Sequence, residues 1–339
     1  MKKTVSLLLA AFLLLLTACN SVVYEEPEVK EEAVDQPITW QIGIASAWAQ
    51  DEFLSMYCNE LEAYFYSQNT RTVQYTVTIA DGGRHEDTQR RQIEDFLAQP
   101  VDILILAPLS YQVAETAAKQ AADAGIPLII TGRTPLKTME EAPYAALTEQ
   151  DGIFYVGSQI TQAGGLLYEL TSSLKNNGDS NDDEKTVCLL LGEEEENGGD
   201  PYWMTAFTQA AEKGEAATEC REPLYGGTQM EKVQELCAQT LQEHGDEIDV
   251  ILCGSDTVLQ GACAALKSGG YRIGENIYLL GIGFSNACMD MLYHRELSGL
   301  VTEDYIAQAH ETADTAAAIL AGTAVEKCHL VNYGKKLQG

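Results

Sequence analysis

From Ile38 onward, short apolar runs alternate with amphipathic segments. The runs "WQIGIAS", "QYTVTIAD", "VDILILAP" and "IPLIITGR" have the length and composition of strands. Between them lie "FLSMYCNELEAYFYSQ", "EDTQRRQIEDFLAQ" and "SYQVAETAAKQAADAG", in which apolar residues recur at helical spacing. This alternation predicts an α/β fold with a parallel sheet and helices on both faces.

The same alternation then repeats. Strand-like runs are "FYVGSQ", "KTVCLLLG", "IDVILCGSD" and "IYLLGIG", and helical patterns include "TQAGGLLYELTSSLKNNG", "MEKVQELCAQTLQEH" and "VLQGACAALKSGG". Two α/β units in tandem predict a bilobal protein with a cleft between doubly wound lobes. Ligands bind beyond the carboxyl ends of parallel strands, so the loops that leave the strands are the candidate site.

Residues 1–18 have the composition of an export signal. Two lysines precede an apolar run, and small residues follow it, in "MKKTVSLLLAAFLLLLTACNS". The run is shorter than the roughly 20 apolar residues that span a bilayer. Its end, "LTAC", resembles the lipobox of bacterial lipoproteins, which implies that Cys19 is lipidated. The alternative is an ordinary signal with an incidental cysteine. We expect the protein on the extracytoplasmic face of the membrane, held there by a lipid anchor.

Charge and cysteine content narrow the range of expected partners and sites. Residues 19–37 hold six acidic residues and one lysine, which predicts an acidic tether. The whole chain carries a net charge of −30 at pH 7, so nucleic acid is not an expected partner. Nine cysteines occur without CxxC spacing, and of those beyond Cys19, Cys188 and Cys253 lie in strand-like runs and Cys58, Cys237 and Cys263 in helical patterns. The cysteines beyond Cys19 are therefore expected to be small buried apolar residues, and neither disulfides nor zinc ligands.

Several segments together resemble one family over nearly the whole mature length. They are "DGGRHEDTQRRQIEDFLAQPVDILILAP", "AADAGIPLIITGR", "FYVGSQITQAGGLL", "VILCGSDTVLQGACAALKSGGY" and "GLVTEDYIAQAHETADTAAAIL". In this order they are similar to the sugar-binding proteins of ABC importers, of the galactose/glucose- and ribose-binding branch. The resemblance implies the type I periplasmic binding protein fold, in which two lobes are joined by a three-strand hinge and close on a ligand.

The resemblance also implies the domain organisation. The chain is expected to cross between lobes near 148–152, near Glu303 and Asp304, and near Cys328. The expected segments are a signal peptide, 1–18; a tether, 19–37; an N-terminal lobe, 38–149 plus 304–328; and a C-terminal lobe, 150–303 plus 329–339.

Sugar sites combine carboxylates and amides, which bind hydroxyl groups, with aromatic faces. After the first strand, Asp51 and Phe53 match the hydroxyl-binding acid and the stacking phenylalanine of the family, with Trp48 beside them. Asp51 could instead only cap the following helix, and Trp48 could belong to the core. Arg133, in "TGRTP", matches an arginine that contacts ring hydroxyls in ribose-type relatives, although it could be an exposed loop residue.

The second lobe departs from the pattern of the family. Ser255 stands at the position of a contacting amide, and Asp256 follows it, with helix capping as the alternative. An aspartate of galactose-type relatives is replaced by Gly283, and the amide at a crossover is replaced by Glu303. The expected arginine is replaced by Trp203, with Asn197 and Asp200 nearby. The specific sugar therefore cannot be carried over, and a polyol or a less hydroxylated ligand stays open.

A second site could bind a metal. Asp179, Asn181 and Asp183 have the alternate spacing of a calcium loop, and Asp249 matches the distant acid that completes such a loop in galactose-type relatives. The loop lacks the usual glycine, because Glu184 takes its place. A solvated acidic loop is the alternative, and no other cofactor is expected.

Signals of catalysis are weak. "GFSNA" approaches the Gly-x-Ser-x-Gly elbow of hydrolases but ends in alanine. The preferred interpretation is a monomeric binding protein, not an enzyme, that captures a small sugar-like ligand and presents it to ABC permease subunits. A receptor subunit that reports the ligand to a histidine kinase or chemoreceptor is the alternative from a different class.

Overall fold

The protein is represented by a computed structural model that describes residues 36–132, 145–159, 161–181, 184–192, 201–227 and 229–338. Ile38–Gly339 forms one compact unit. Several predicted residues lie outside the described part of the chain, namely Cys19, Arg133, Asp183, Asn197 and Asp200.

The predicted alternation of strands and helices is confirmed. The strands are β1 Ile38–Ser46, β2 Val73–Asp81, β3 Ile103–Ala107, β4 Leu128–Ile130, β5 Ile153–Ser158, β6 Thr186–Gly192, β7 Thr218–Cys220, β8 Leu224–Tyr225, β9 Val250–Cys253, β10 Tyr278–Ile282, β11 Gly299–Thr302, β12 Cys328–Val331 and β13 Gly334–Leu337. The helices are α1 Glu52–Ser67, α2 Glu86–Leu97, α3 Tyr111–Ala124, α4 Ala145–Thr148, α5 Thr161–Ser173, α6 Tyr202–Lys213, α7 Met230–His244, α8 Asp256–Ser268, α9 Asn286–Tyr293 and α10 Tyr305–Leu320, with short 3-10 turns at Lys175–Gly178 and Gly245–Glu247.

The first lobe is built on a parallel sheet of described strands in the order β12-β5-β4-β3-β1-β2. Its central strand β3 is buried along its whole length, and successive residues face opposite sides. Ile103 and Ile105 pack toward α1 and α10, whereas Leu104 and Leu106 pack toward α2 and α3. Burial on both faces explains why these strands are continuous apolar runs.

The second lobe repeats this design with the order β13-β11-β10-β9-β6-β7, and β8 pairs with β6 beyond β7. One face of the sheet packs against α7, α8 and α9, and the other against α5 and α6. Strand β13 runs antiparallel to β11 at the edge. The two lobes therefore share a doubly wound topology, which confirms the predicted fold class.

Sheet membership differs from the predicted domain boundaries in two places. The run "FYVGSQ" forms β5, which pairs with β4 in the first sheet, and the late strand β12 pairs with β5 there as well. The boundary expected at 150 therefore falls before β5, and the boundary expected at 329 falls within β12, although both strands belong to the first lobe. The first and third crossovers lie instead just after β5 and just after β12, whereas the second follows β11 at Glu303 and Asp304, where it was expected.

Most of the described cysteines follow the prediction that they are buried. All eight cysteines in the described part of the chain are free, and six of them are buried: Cys58, Cys188, Cys237, Cys253, Cys263 and Cys288. Burial raises the pKa of the Cys58 thiol to about 11 and that of Cys237 to about 12. None of the helices among the described residues has the length and hydropathy of a membrane span.

Candidate ligand-binding site

Strand order places a crevice at an equivalent position in each lobe. Strand β1 lies between β2 and β3, so the chain leaves β1 toward one side and later returns on the other. In the second lobe β6 occupies the same position between β7 and β9. At such a switch point the loops diverge and leave room for a ligand. We call the residues that pack at these two points the first-lobe floor (Phe53, Tyr57, Thr131) and the second-lobe floor (Gly192, Trp203, Gly254).

The loop after β1 has a defined geometry. The N–H of Leu54 donates to Asp51 Oδ1 at 2.9 Å, so Asp51 caps α1. Trp48 is half-buried, and the guanidinium carbon of Arg84 lies 5.1 Å from the centre of its ring. The capping interpretation of Asp51 is confirmed. A ligand contact through its second oxygen and through Trp48 stays a prediction.

Phe53 is part of the core, with 0% of its surface exposed. Its ring stacks on Tyr57 with 6.2 Å between centroids, and it meets Phe284 of the second lobe edge to face at 5.3 Å. In this arrangement the ring presents no open face to a ligand. The predicted stacking role therefore requires Phe284 to move.

A buried network of hydrogen bonds lies behind Phe53. The hydroxyl of Tyr57 donates to Thr312 Oγ1 at 2.8 Å and shares a hydrogen bond of 2.9 Å with Thr131 Oγ1. Gln308 Nε2 donates to Thr131 Oγ1, and Gln308 Oε1 accepts from Ser158 Oγ, both at 3.2 Å. Burial raises the pKa of Tyr57 well above its ordinary value, so the phenol stays protonated. The network joins α1 to the loop after β4, to the end of β5 and to α10.

The second-lobe floor depends on close packing. Trp203 is 5% exposed and packs in the core beside Met204 and Phe207. A Cβ atom at Gly254 would lie 2.5 Å from Trp203 Nε1, and a Cβ at Gly192 would lie 3.7 Å from its Cζ2. The indole therefore sits between the ends of β6 and β9, at the switch point. Only a small part of the Trp203 surface is open to a ligand. Its stacking role stays a prediction.

Ser255 and Asp256 have distinct tasks. Ser255 is the N-cap of α8, and its hydroxyl faces the N–H of Val258 at 3.5 Å. Asp256 is the first helical residue, and its Oδ1 accepts the N–H groups of Phe284 at 3.2 Å and Ser285 at 2.9 Å. Asp256 thus holds the loop after β10, which differs from the capping role considered as its alternative.

Glu303 lies at the hinge. Tyr333 donates its hydroxyl to Glu303 Oε1 at 2.8 Å, which links the crossover after β11 to that after β12. Gln162, at the start of α5, binds the crossover after β12 through both atoms of its amide. Its Oε1 accepts from Tyr333 N, and its Nε2 donates to Asn332 Oδ1. The crossovers are therefore joined by side-chain hydrogen bonds as well as by the chain.

The described part of the calcium loop is held by its own hydrogen bonds. Asp179 accepts from the N–H groups of Asn181 and Glu184, at 3.2 and 3.0 Å. The buried Asp249 accepts from Ser180 N and Oγ through Oδ1 and from Val187 N through Oδ2. No group of three or more His, Cys, Asp or Glu residues that could hold a metal occurs among the described residues. The calcium site stays a prediction.

The residues around the elbow-like "GFSNA" are engaged in structure. Ser285 is buried and its hydroxyl accepts the N–H of Cys288 at 3.2 Å, as the N-cap of α9. His310 Nε2 lies 2.7 Å from Glu60 on the outer side of α1. These contacts give Ser285 a capping role and place His310 in a surface pair.

Three residues of the site region were not predicted from the sequence. Gln308 and Thr312 stand four residues apart among the alanines of α10, so they lie on one apolar face of the helix. Polar residues on such a face indicate a buried hydrogen-bond network, because buried polar groups need partners. Phe284 was noted within an elbow-like motif and not as a partner of Phe53. A contact across lobes leaves no local pattern that could have revealed it.

Comparison with known proteins fits this geometry. Residues 42–324 match the family described as periplasmic binding protein domain. A candidate rhizopine-binding protein of Rhizobium meliloti is 25% identical over 287 residues, which cover 84% of this chain and 86% of the relative.

Solved structures match as well. An ABC transporter solute-binding protein of Bacillus halodurans with bound myo-inositol has a TM-score of 0.66 at 21% identity and covers 91% of this chain and 96% of its own. A solute-binding protein of Actinobacillus succinogenes with bound D-allose has a TM-score of 0.69 at 15% identity, with 88% and 98% covered. These relatives are solute-binding proteins and not enzymes. This chain belongs to the periplasmic binding protein family and has its type I fold.

Proposed function

We propose that this protein is the substrate-binding component of a carbohydrate ABC importer and that it captures a small sugar or cyclitol between its lobes. The family match over residues 42–324 supports this proposal, together with relatives named for rhizopine, myo-inositol and D-allose. The ligand class comes from those relatives, and the specific ligand of this chain is open.

The side chains near the switch points suit such a ligand. Asp51, Asp256 and Glu303 supply carboxylate oxygens, which accept hydrogen bonds from hydroxyl groups. Each already accepts one or more hydrogen bonds within the protein, so each is held in place before a ligand arrives. Oriented acceptors of this kind favour a rigid ring that carries several hydroxyl groups.

The hinge supports capture by closure. The three crossovers lie side by side, and Gln159 N donates to Val331 O at 2.8 Å between two of them. Short segments of this kind can change their backbone angles while both lobes stay intact. Closure around the ligand would create the surface that permease subunits recognise.

The sequence at the N-terminus supports attachment to the membrane. We infer that Cys19 is lipidated and that residues 19–37 tether the binding unit to the extracytoplasmic face. Replacement of Cys19 by alanine is expected to move the protein from the membrane fraction to the soluble extracytoplasmic fraction. Unchanged fractionation of the Cys19→Ala variant would contradict this assignment.

A thermal-shift screen of the mature protein tests the ligand class. The panel contains monosaccharides, cyclitols, linear polyols, nucleosides and amino acids. A ligand that binds only the folded state raises the melting temperature. At a ligand concentration of 100 times Kd it adds about 2.7 kcal/mol to the free energy of unfolding. We expect a response to a monosaccharide or cyclitol. A response confined to nucleosides or amino acids would contradict the proposal.

The alternative, a receptor subunit, shares the binding site and differs in its partner. It would be favoured if the ligand-bound protein crosslinks to a histidine kinase or chemoreceptor in native membranes. Crosslinking to a permease favours import. Genes for a permease and an ATPase beside this gene would point the same way.

A further inference from the structure

Phe284 reaches from the second lobe into the first. It follows β10, yet its ring packs against the hydrophobic cluster of the first lobe that includes Phe53 and Tyr57. The rings of Phe53 and Phe284 are 5.3 Å apart at an interplanar angle of 86°. This edge-to-face geometry is a favourable one for aromatic pairs. Phe53 is fully buried, and Phe284 is one of the side chains that pack against it.

The position of Phe284 is fixed from its own side. Its N–H and that of Ser285 donate to Asp256 Oδ1, and Ser285 caps the helix that follows. Gly283 precedes it, where a Cβ would approach Asp256 Oδ1 to 3.0 Å. The loop is therefore a tight turn clamped by a carboxylate. A clamped backbone limits the directions in which the Phe284 ring can point.

A second contact holds the same loop against the first lobe. The N–H of Asn286, at the start of α9, donates to Glu52 Oε1 at 3.1 Å. Glu52 and Phe53 are adjacent at the start of α1, so two neighbouring residues of one lobe meet the turn that contains Phe284 in the other. The aromatic contact is thus part of a small interlobe junction.

We propose that Phe284 is a specificity-determining residue, because its ring fills the space in front of Phe53 and limits the size of the ligand that the cleft accepts. This inference rests on the proposed function. The ligand is bounded on this side by an apolar ring and has its polar contacts elsewhere. We expect the remaining space to admit a compact monosaccharide or cyclitol and to exclude a larger glycoside.

The first arm of the test needs no knowledge of the ligand. Phe284→Ala removes a ring next to Phe53, and apolar cavities of ring size bind small aromatic molecules. Phenol is therefore expected to raise the melting temperature of Phe284→Ala by about 2 °C or more. Tyr293→Ala is the matched control, because Tyr293 is 83% exposed at the end of α9, and it should respond like the wild type. Equal responses of all three proteins would overturn the proposal.

The second arm measures specificity by calorimetry. The probes are myo-inositol, L-arabinose, D-galactose and phenyl β-D-galactopyranoside. The ratio of the affinity for the phenyl glycoside to the affinity for the smallest ligand bound should rise at least tenfold in Phe284→Ala. Tyr293→Ala should keep the wild-type order of affinities. An unchanged order of affinities in Phe284→Ala would overturn the proposal.

Two further outcomes are also decisive. If Phe284→Ala does not fold, Phe284→Leu replaces it and should shift the order in the same direction by a smaller factor. If no protein binds any carbohydrate, the proposed function fails, and the phenol response alone decides whether Phe284 fills the space at Phe53.

Discussion

The two lobes share one strand order but build their floors from different interactions. The first-lobe floor is a hydrogen-bonded network in which Tyr57 is held by Thr131 and Thr312. The second-lobe floor is a tryptophan packed against glycine backbone, with Trp203 over Gly254. Topology thus determines where the crevice lies, and side chains determine its shape and stiffness. The network also reaches the hinge through Gln308 and Ser158, so the first lobe couples its floor to the crossovers.

The largest loss of stability is expected from a substitution in the second-lobe floor. Gly254→Ala places a Cβ 2.5 Å from Trp203 Nε1, which the packed core cannot absorb without movement. We expect a loss of about 3 kcal/mol in the free energy of unfolding and a weaker ligand response. Urea denaturation measures it. Gly165→Ala, in α5 with open space around it, is the matched control and should be neutral or slightly stabilising. Equal stabilities of the two variants would contradict close packing at Trp203.

In the first lobe the corresponding change removes a hydroxyl. Tyr57→Phe breaks the hydrogen bonds to Thr131 and Thr312 inside the core. The expected loss is about 1.5 kcal/mol, because buried partners remain without that group. Tyr66→Phe, at an exposed position of the same helix, should change the free energy of unfolding by less than about 0.5 kcal/mol. If Tyr57→Phe is as stable as Tyr66→Phe, the network does not support the floor.

Asp51 separates capping from ligand binding. Asp51→Ala removes the cap of α1 and should lower stability by about 1 kcal/mol. Asp51→Ser keeps a capping oxygen but removes the carboxylate, so its stability should be near that of the wild type. If Asp51 contacts the ligand, both variants lose the thermal response. Wild-type affinity in Asp51→Ser would limit Asp51 to its capping role.

Alkaline pH should weaken both lobes. The pKa of Cys237, in the second lobe, is raised by burial from 9.0 to about 12, and that of Cys58, in the first, to about 11. A thiol with a raised pKa in the folded state contributes its full stabilisation below pH 9. This stabilisation is lost as the pH rises toward the folded-state pKa, because the thiol of the unfolded chain releases its proton at a lower pH. Each thiol should therefore reduce stability by about 1 kcal/mol between pH 9 and pH 10.

Urea unfolding under reducing conditions across this pH range measures the effect of the thiols. Cys237→Ala and Cys58→Ala should each make the dependence on pH less steep. A dependence identical to that of the wild type in both variants would mean that the thiols are not buried in the folded state.

The smallest effect is expected from chelation. The oxygens of Asp249 and Asp179 already accept hydrogen bonds, with which a calcium ion would have to compete. We expect a calcium chelator to change the melting temperature by less than about 1 °C. A larger decrease, reversed by added calcium and absent in Asp249→Asn, would instead support the calcium site predicted from the sequence.

The sequence predicted the lobes well because their determinants are local. Apolar runs such as "ILILA" and helical spacing in α1 identify elements without knowledge of their partners. The assignment of β5 and β12 failed because strand pairing depends on residues far apart in the chain. Asp51 and Trp203 were found as candidates from their position after strands. Phe284 and Gln308 were not, since their roles arise from contacts across lobes or over more than 100 residues.

The proposed function requires that the interlobe cleft binds one small carbohydrate or cyclitol. Isothermal titration calorimetry of the mature protein with the best ligand of the screen measures this binding. We expect saturable one-to-one binding with a Kd of about 1 μM or below, that is, about −8 kcal/mol or more favourable. Binding should be weakened in Gly254→Ala and preserved in Gly165→Ala. Absence of saturable binding for every monosaccharide and cyclitol, with binding of a nucleoside or amino acid instead, would contradict the proposed function.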